Sequence, residues 1–204
     1  MIAIIDYGSG NVAAIADILK RLKLPHIISK NHVELIEADR YILPGVGAFD
    51  TTMRTLADSG LINLLNEQVC QLEKKILGIC VGMQILGDSS DEGNLSGLGW
   101  IPGHIRRIDK DLINGLPKLP HMGWNSINVS RSSPLLQGVD LERGYYFLHS
   151  YYFDAVEASD VIATVSCGAE LPCAVVRRNV YGLQFHPEKS HSNGVAVFKN
   201  FAMI

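Results

Sequence analysis

The first half of the chain alternates short apolar runs with longer amphipathic ones, and no other feature limits the possible folds as strongly. Ile2–Asp6 is an apolar run followed by Gly8-Ser9-Gly10. Val12, Ile15, Ile18, Leu19 and Leu22 then recur at helical spacing until Pro25 stops the helix. His26–Ser29 and Arg40–Leu43 read as second and third strands, the latter closed by Pro44-Gly45-Val46-Gly47. Two helical stretches follow, at Asp50–Asp58 and Leu61–Leu72, then a fourth strand at Lys75–Ile79 and the start of a helix at Val81–Leu86. Strands separated by helices call for right-handed crossovers and a mainly parallel sheet covered on both faces.

The second half changes character. Ile105–Ile108, Asn125–Val129, Tyr145–Phe153, Val161–Ser166, Ala174–Arg177 and Val180–Phe185 are β-rich runs at hairpin-like spacing, and Gly194–Phe201 reads as a closing helix. The fold class is therefore α/β: a three-layer arrangement whose mainly parallel sheet carries an antiparallel extension. With 204 residues the chain is long enough for a substantial core and is expected to form a single domain, residues 1–204.

Charge and cysteine usage narrow the partners. A net charge of -3 supplies no footprint for nucleic acid or an anionic membrane. The start, Met1-Ile2-Ala3-Ile4-Ile5-Asp6, lacks the form of a signal peptide, and no apolar run approaches the ~20 residues of a membrane span. The four cysteines, Cys70, Cys80, Cys167 and Cys173, show no CxxC spacing, so no metal site and no cofactor are expected. A reducing, cytoplasmic setting follows, with Cys70, Cys167 and Cys173 as small buried hydrophobes.

Cys80 is different. Gly78-Ile79-Cys80-Val81-Gly82 places one thiol between two glycines at a strand-to-helix junction, the form of a nucleophile elbow. A sharp turn there strains the nucleophile and requires small neighbours. A helix start favours a thiolate, and the Val81 N–H can face a developing oxyanion. A buried cysteine in a glycine-containing turn is the plainer alternative. Phe185-His186-Pro187-Glu188 bears on that choice. The proline keeps His186 out of the helical region, and residues two apart on extended chain share a face. Glu188 can then orient the imidazole while its other nitrogen meets the thiol; a surface turn is again the alternative. Gly45-Val46-Gly47 could supply a second oxyanion N–H, or be an ordinary strand-end turn.

Taken together, "DYGSGN" (Asp6–Asn11), "LPGVGAF" (Leu43–Phe49), "GICVGMQ" (Gly78–Gln84), "PHMGWN" (Pro120–Asn125), "YYFLHSYY" (Tyr145–Tyr152) and "GLQFHPEKS" (Gly182–Ser190) resemble the triad-type glutamine amidotransferases. The finer likeness is to the glutaminase subunits of imidazole glycerol phosphate synthases. The resemblance implies catalysis by Cys80, His186 and Glu188, with Val81, Gly45, Val46 and Gly47 around the oxyanion. It implies L-glutamine as substrate, held by Gln84, Glu92, Ser150 and Tyr151. It also implies a partner, a cyclase (β/α)8 barrel forming a heterodimer through Trp124, Tyr146 and Lys189 and receiving the ammonia. Trp124 and Tyr146 as core aromatics, Lys189 as a solvated charge and Glu92 as loop chemistry are the plainer readings.

Val81 stands where a leucine is more usual in that family, and His191 where glutamine is commoner. Neither touches backbone groups used in chemistry, but both leave room for a copy serving another synthase subunit, one that aminates a nucleotide-linked sugar for surface polysaccharide. A nucleotide-binding module is a remote third reading, since "DYGSGN" has Ala13 where a dinucleotide loop needs its last glycine. The freedom of the Gly45–Gly47 loop leads to one further expectation: the lone chain hydrolyses glutamine poorly.

Overall fold

A computed structural model describes residues 1–109 and 119–204. The first half follows the alternation closely: β1 (Ile2–Ile5), α1 (Val12–Arg21), β2 (His26–Ser29), α2 (His32–Ile36), β3 (Arg40–Gly45), α3 (Phe49–Asp58), α4 (Ile62–Leu65), β4 (Lys75–Cys80) and α5 (Val81–Gln84). The second half contains β5 (Ser89–Ser90), β6 (Gly103–Arg107), β7 (His121–Asn125), β8 (Ile127–Val129), β9 (Tyr145–His149), β10 (Tyr151–Ala155), β11 (Val161–Cys167), β12 (Ala169–Arg177), β13 (Val180–Leu183) and α6 (His191–Met203).

The main sheet has eight strands in the order β2-β1-β3-β4-β13-β12-β11-β8. The five strands from β2 to β13 are parallel, and β12, β11 and β8 extend it antiparallel. The chain reverses direction at β1, so right-handed crossovers put α1 on one face and the helices before β3 and β4 on the other. α6 packs back against α1. Both faces are covered, which is why β1 and β13 are buried along their whole length. The fold class is thus the α/β arrangement read from the sequence. No helix among the described residues is long and apolar enough to cross a membrane.

Departures from the sequence reading have local causes. The stretch Asn125–Val129 is two strands: Asn125 pairs with Tyr145 in a separate ribbon, whereas Ile127 pairs with Val165 in the main sheet. Tyr145–Phe153 likewise splits at Ser150, since β9 pairs with β7 and β10 with β6. The helix read over Val81–Leu86 stops at Gln84. Its last carbonyls are claimed by a returning loop, with Leu98 N–H on Ile85 O (2.8 Å) and Trp100 N–H on Leu86 O (2.9 Å). The helix read over Leu61–Leu72 is α4 followed by a wider π-helical stretch, Asn66–Gln71. That stretch turns Gln68 and Val69 inward and leaves Cys70 exposed. Cys70 is therefore not the buried hydrophobe its composition suggested, whereas Cys167 and Cys173 are.

Strands β3 and β4 end side by side, with Gly45 in register with Cys80. The approach is so close that a Cβ on Gly82 would collide with the Leu43 carbonyl oxygen, and one on Gly45 with the Gly82 nitrogen. Gly82→Ala must therefore push β3 from α5. We expect it to cost about 1–3 kcal/mol, the usual penalty of overpacking, as measured by denaturant unfolding.

Candidate active site

Cys80 is the last residue of β4 and the cap of α5, with φ 57° and ψ -115°. A side chain in that region costs about 1–3 kcal/mol, sustained only where the surroundings over-determine it. The surroundings here are β3 and β13 on either side and the glycine contacts behind. Val81 heads α5 and so carries an N–H that a helix start leaves without an intrahelical partner. α5 is a single turn, so its dipole is a smaller influence than a long helix would exert.

Topology delivers the histidine. Leu183 at the end of β13 lies in register with Ile79, so the chain running on through Gln184 and Phe185 passes beside Cys80. His186 is then fixed at the backbone: its N–H donates to Tyr146 O (2.9 Å), and its carbonyl accepts from Ser190 Oγ (2.6 Å). Nδ1 meets Glu188 Oε1 at 2.8 Å, both side chains being almost wholly buried. Among the described residues Nε2 has no partner at full hydrogen-bond geometry, yet the Cys80 sulfur acts on the ring. Burial disfavours the charged imidazole, but contact with Cys80 and the bond to Glu188 outweigh it and raise the His186 pKa to about 10.

Between these groups lies a cavity of about 280 Å³ whose lining includes Gly47, Cys80, Gln84, Glu92, Ser150, Tyr151 and His186. Each substrate-holding candidate thus reaches one space, though their contacts differ. Glu92 Oε2 accepts from Phe49 N (2.8 Å), supplying the cap that Ala48, at the N-cap of α3, lacks. Gln84 Nε2 donates to Gln184 Oε1 (3.0 Å). Ser150 and Tyr151 sit where the chain leaves the β7–β9 ribbon for the sheet of β10. That wall is propped by a relay of buried rings: His149 Nδ1 contacts Tyr151 O at 2.8 Å, and His121 Nδ1 contacts His149 Nε2 at 2.9 Å. Burial, opposed by the Tyr151 bond but aided by His121 and His186, lowers the His149 pKa to about 3, so the wall stays uncharged at neutral pH.

The oxyanion-loop candidates lie at the cavity's edge, Val46 half exposed and Gly47 at φ 97°. Besides a long bond from Thr52 Oγ1 to Val46 O (3.5 Å), the loop and the strand end before it are held by a segment the sequence reading gave no site role. Val46 N–H donates to Ser9 Oγ (3.0 Å), Ser9 Oγ reaches Val46 O (3.2 Å), and Tyr7 Oη donates to Pro44 O (2.6 Å). "DYGSGN" is thus a clamp on the end of β3, and Asn11 caps its own helix through Ala14 N. Gln184, inside "GLQFHPEKS", was the other residue passed over. The interface candidates cluster beside the cavity: Trp124 and Tyr146 are cross-strand partners, Lys189 Nζ lies 5.5 Å from the Tyr146 ring centre, and His191 stacks on Trp124 at 5.1 Å. Trp124 is 46% exposed, which sets aside its reading as a core aromatic. Among the described residues, no group of three or more His, Cys, Asp or Glu is gathered as a metal would require.

Fold and cavity define a class, the α/β proteins in which a central strand ends in a kink that turns a side chain into a cavity. Residues 3–204 match the family described as "Glutamine amidotransferase class-I", and the chain belongs to that family. It is 46% identical over 204 residues to "Imidazole glycerol phosphate synthase subunit HisH" of Leptospira borgpetersenii, covering all of both chains. It is 47% identical over 206 residues to the protein of that name from Bdellovibrio bacteriovorus, again at full coverage of both. The fold is shared with a crystal structure of a glutamine amidotransferase (TM-score 0.74, 17% identity, covering 100% of this chain and 99% of the other).

If the Cys80 sulfur holds the His186 proton, removing it must release that proton more readily. In a Cys80→Ala variant the His186 ring is expected to titrate at least about one pH unit lower than in the wild type, as read by NMR of the imidazole carbons. An unchanged midpoint would assign the shift to Glu188 alone.

Proposed function

We propose that this chain is the glutaminase subunit of an imidazole glycerol phosphate synthase in histidine biosynthesis. The observation that carries this reading is identity of 46% along the entire chain to subunits so named. The same likeness favours it over supply of ammonia to a nucleotide-sugar synthase.

In this reading Cys80 Sγ attacks the side-chain amide carbon of L-glutamine, and the carbonyl oxygen becomes an oxyanion facing the Val81 N–H and the Val46–Gly47 peptides. His186, charged and braced by Glu188, gives its proton to the leaving nitrogen, so ammonia departs and a glutamyl thioester remains. Neutral His186 then takes a proton from water as the water adds to the thioester carbon, releasing glutamate and the thiolate. Gln84, Glu92, Ser150 and Tyr151 hold the substrate. The chemistry needs no cofactor, and the work is cytoplasmic.

Ammonia passes to a cyclase (β/α)8 barrel in a heterodimer. Support comes from the outer face of the β7–β9 ribbon, where Met122 (63% exposed), Trp124 and Leu148 form an exposed apolar patch. Met122 and Leu148 are cross-strand partners, as are Trp124 and Tyr146, so all four share that face, with Lys189 against Tyr146. Co-purification with a candidate barrel followed by a glutamine-dependent cyclisation assay tests the assignment; failure to form the complex or to cyclise counts against it.

The Ser9 bond explains why the lone chain should turn over slowly. The Val46 N–H it occupies cannot face an oxyanion until the peptide is freed. Ser9→Ala is therefore expected to raise glutamine hydrolysis in the absence of the barrel by about tenfold or more, a fraction of what an oxyanion donor is worth. Cys80→Ala should abolish glutamine hydrolysis while ammonium salts still support cyclisation by the complex.

A further inference from the structure

Gln184 is wholly buried one residue beyond the end of β13, with its backbone N–H on Cys173 O at 2.8 Å. A buried primary amide needs partners for both ends. Oε1 accepts from Gln84 Nε2 at 3.0 Å. Nε2 points at Cys80 Sγ, 3.9 Å away, within reach of a large, diffuse sulfur acceptor. The two contacts are mutually consistent: with Oε1 taken up by Gln84 Nε2, the amide has its N–H left to present to the sulfur.

We propose that Gln184 is a further catalytic residue of the Cys80 site: its amide N–H holds the sulfur as an aimed thiolate, and Gln84 sets the direction of that amide. The inference rests on the reading of Cys80 as the nucleophile. His186 Nε2 is buried and makes no hydrogen bond of full geometry among the described residues, which suits a group that must swing between sulfur, leaving nitrogen and water. Gln184 is neutral and does not exchange protons, so it can hold the sulfur through every step while the imidazole moves its proton. The same ladder links the nucleophile to the cavity wall, because Gln84 lines the cavity beside Cys80. A substrate that draws on Gln84 therefore acts on the donor that faces the thiolate.

The test compares wild type with Gln184→Glu, which keeps the shape but replaces the donor by a carboxylate, and Gln184→Met, which removes it. The readout is the pH profile of iodoacetamide alkylation at the Cys80 peptide, followed by mass spectrometry, with exposed Cys70 as internal control. The proposal requires the Cys80 midpoint to rise in Gln184→Met, where only the donor is lost, and to rise further, by about one pH unit or more, in Gln184→Glu, where a negative charge is added as well, with the Cys70 midpoint unmoved. A Cys80 midpoint unchanged in a Gln184→Met protein with native circular dichroism overturns it. Should both variants fail to fold, the side-chain amide resonances of Gln184 in wild type decide: they must shift with the Cys80 midpoint and cease to do so in Cys80→Ala. Resonances indifferent to that transition overturn the proposal equally. Alkylation reads the pairing even if glutamine is not the substrate, so failure here is distinct from failure of the proposed function.

Discussion

The contact between the ends of β3 and β4 is the constraint from which the site is built. Cys80 occupies a backbone region hostile to side chains, and it stays there because Gly45, Gly78 and Gly82 let three backbone segments touch. The strain turns the thiol out of the sheet plane into the cavity, and the same contact sets the Gly45–Gly47 loop beside it. Relaxing one part would undo both, since Gly45 and Cys80 are register partners. The parallel pairing of β13 with β4 then brings in His186 from about a hundred residues away at no further cost in geometry.

The opposite wall arises from discontinuity. β9 and β10 look like one strand but serve different sheets, and the residues at the break, Ser150 and Tyr151, face the cavity. A break would ordinarily be a mobile place. The His149–His121 relay anchors it to the ribbon's inner face, while the outer face presents Met122, Trp124 and Leu148 to solvent. The cavity wall and the proposed barrel-docking surface are therefore two sides of one small ribbon. Across the cavity, Glu92 ties the wall to the start of α3 through Phe49, so the loop carrying Val46 is held at one end by Glu92 and at the other by Ser9.

Much of this was legible in the sequence because its signals are local. Apolar runs such as Ile2–Asp6 and Lys75–Ile79 announced parallel strands, and each segment bearing a proposed triad residue carries its geometry within five residues. What escaped notice is either too short for a period or long-range. α2 spans five residues held by an Asn31 cap, and β5 only two. The breaks at Ser126 and Ser150 leave the alternation of side chains intact, so no periodicity marks them. The truncation of α5 depends on carbonyls taken by a loop more than ten residues on. Ser9 and Val46 are separated by 37 residues, and Gln184 and Cys80 by 104; contacts of that reach leave no pattern in either segment alone.

The central claim is that Cys80, though only 5% exposed, is the chain's reactive thiol because of where the fold puts it. A glutamine analogue bearing a diazoketone in place of the amide tests this most directly. Intact-protein and peptide mass spectrometry should find one equivalent bound, on the peptide containing Cys80, and none after Cys80→Ala. Label on exposed Cys70 in preference to Cys80, or label undiminished in the Cys80→Ala protein, would contradict the account.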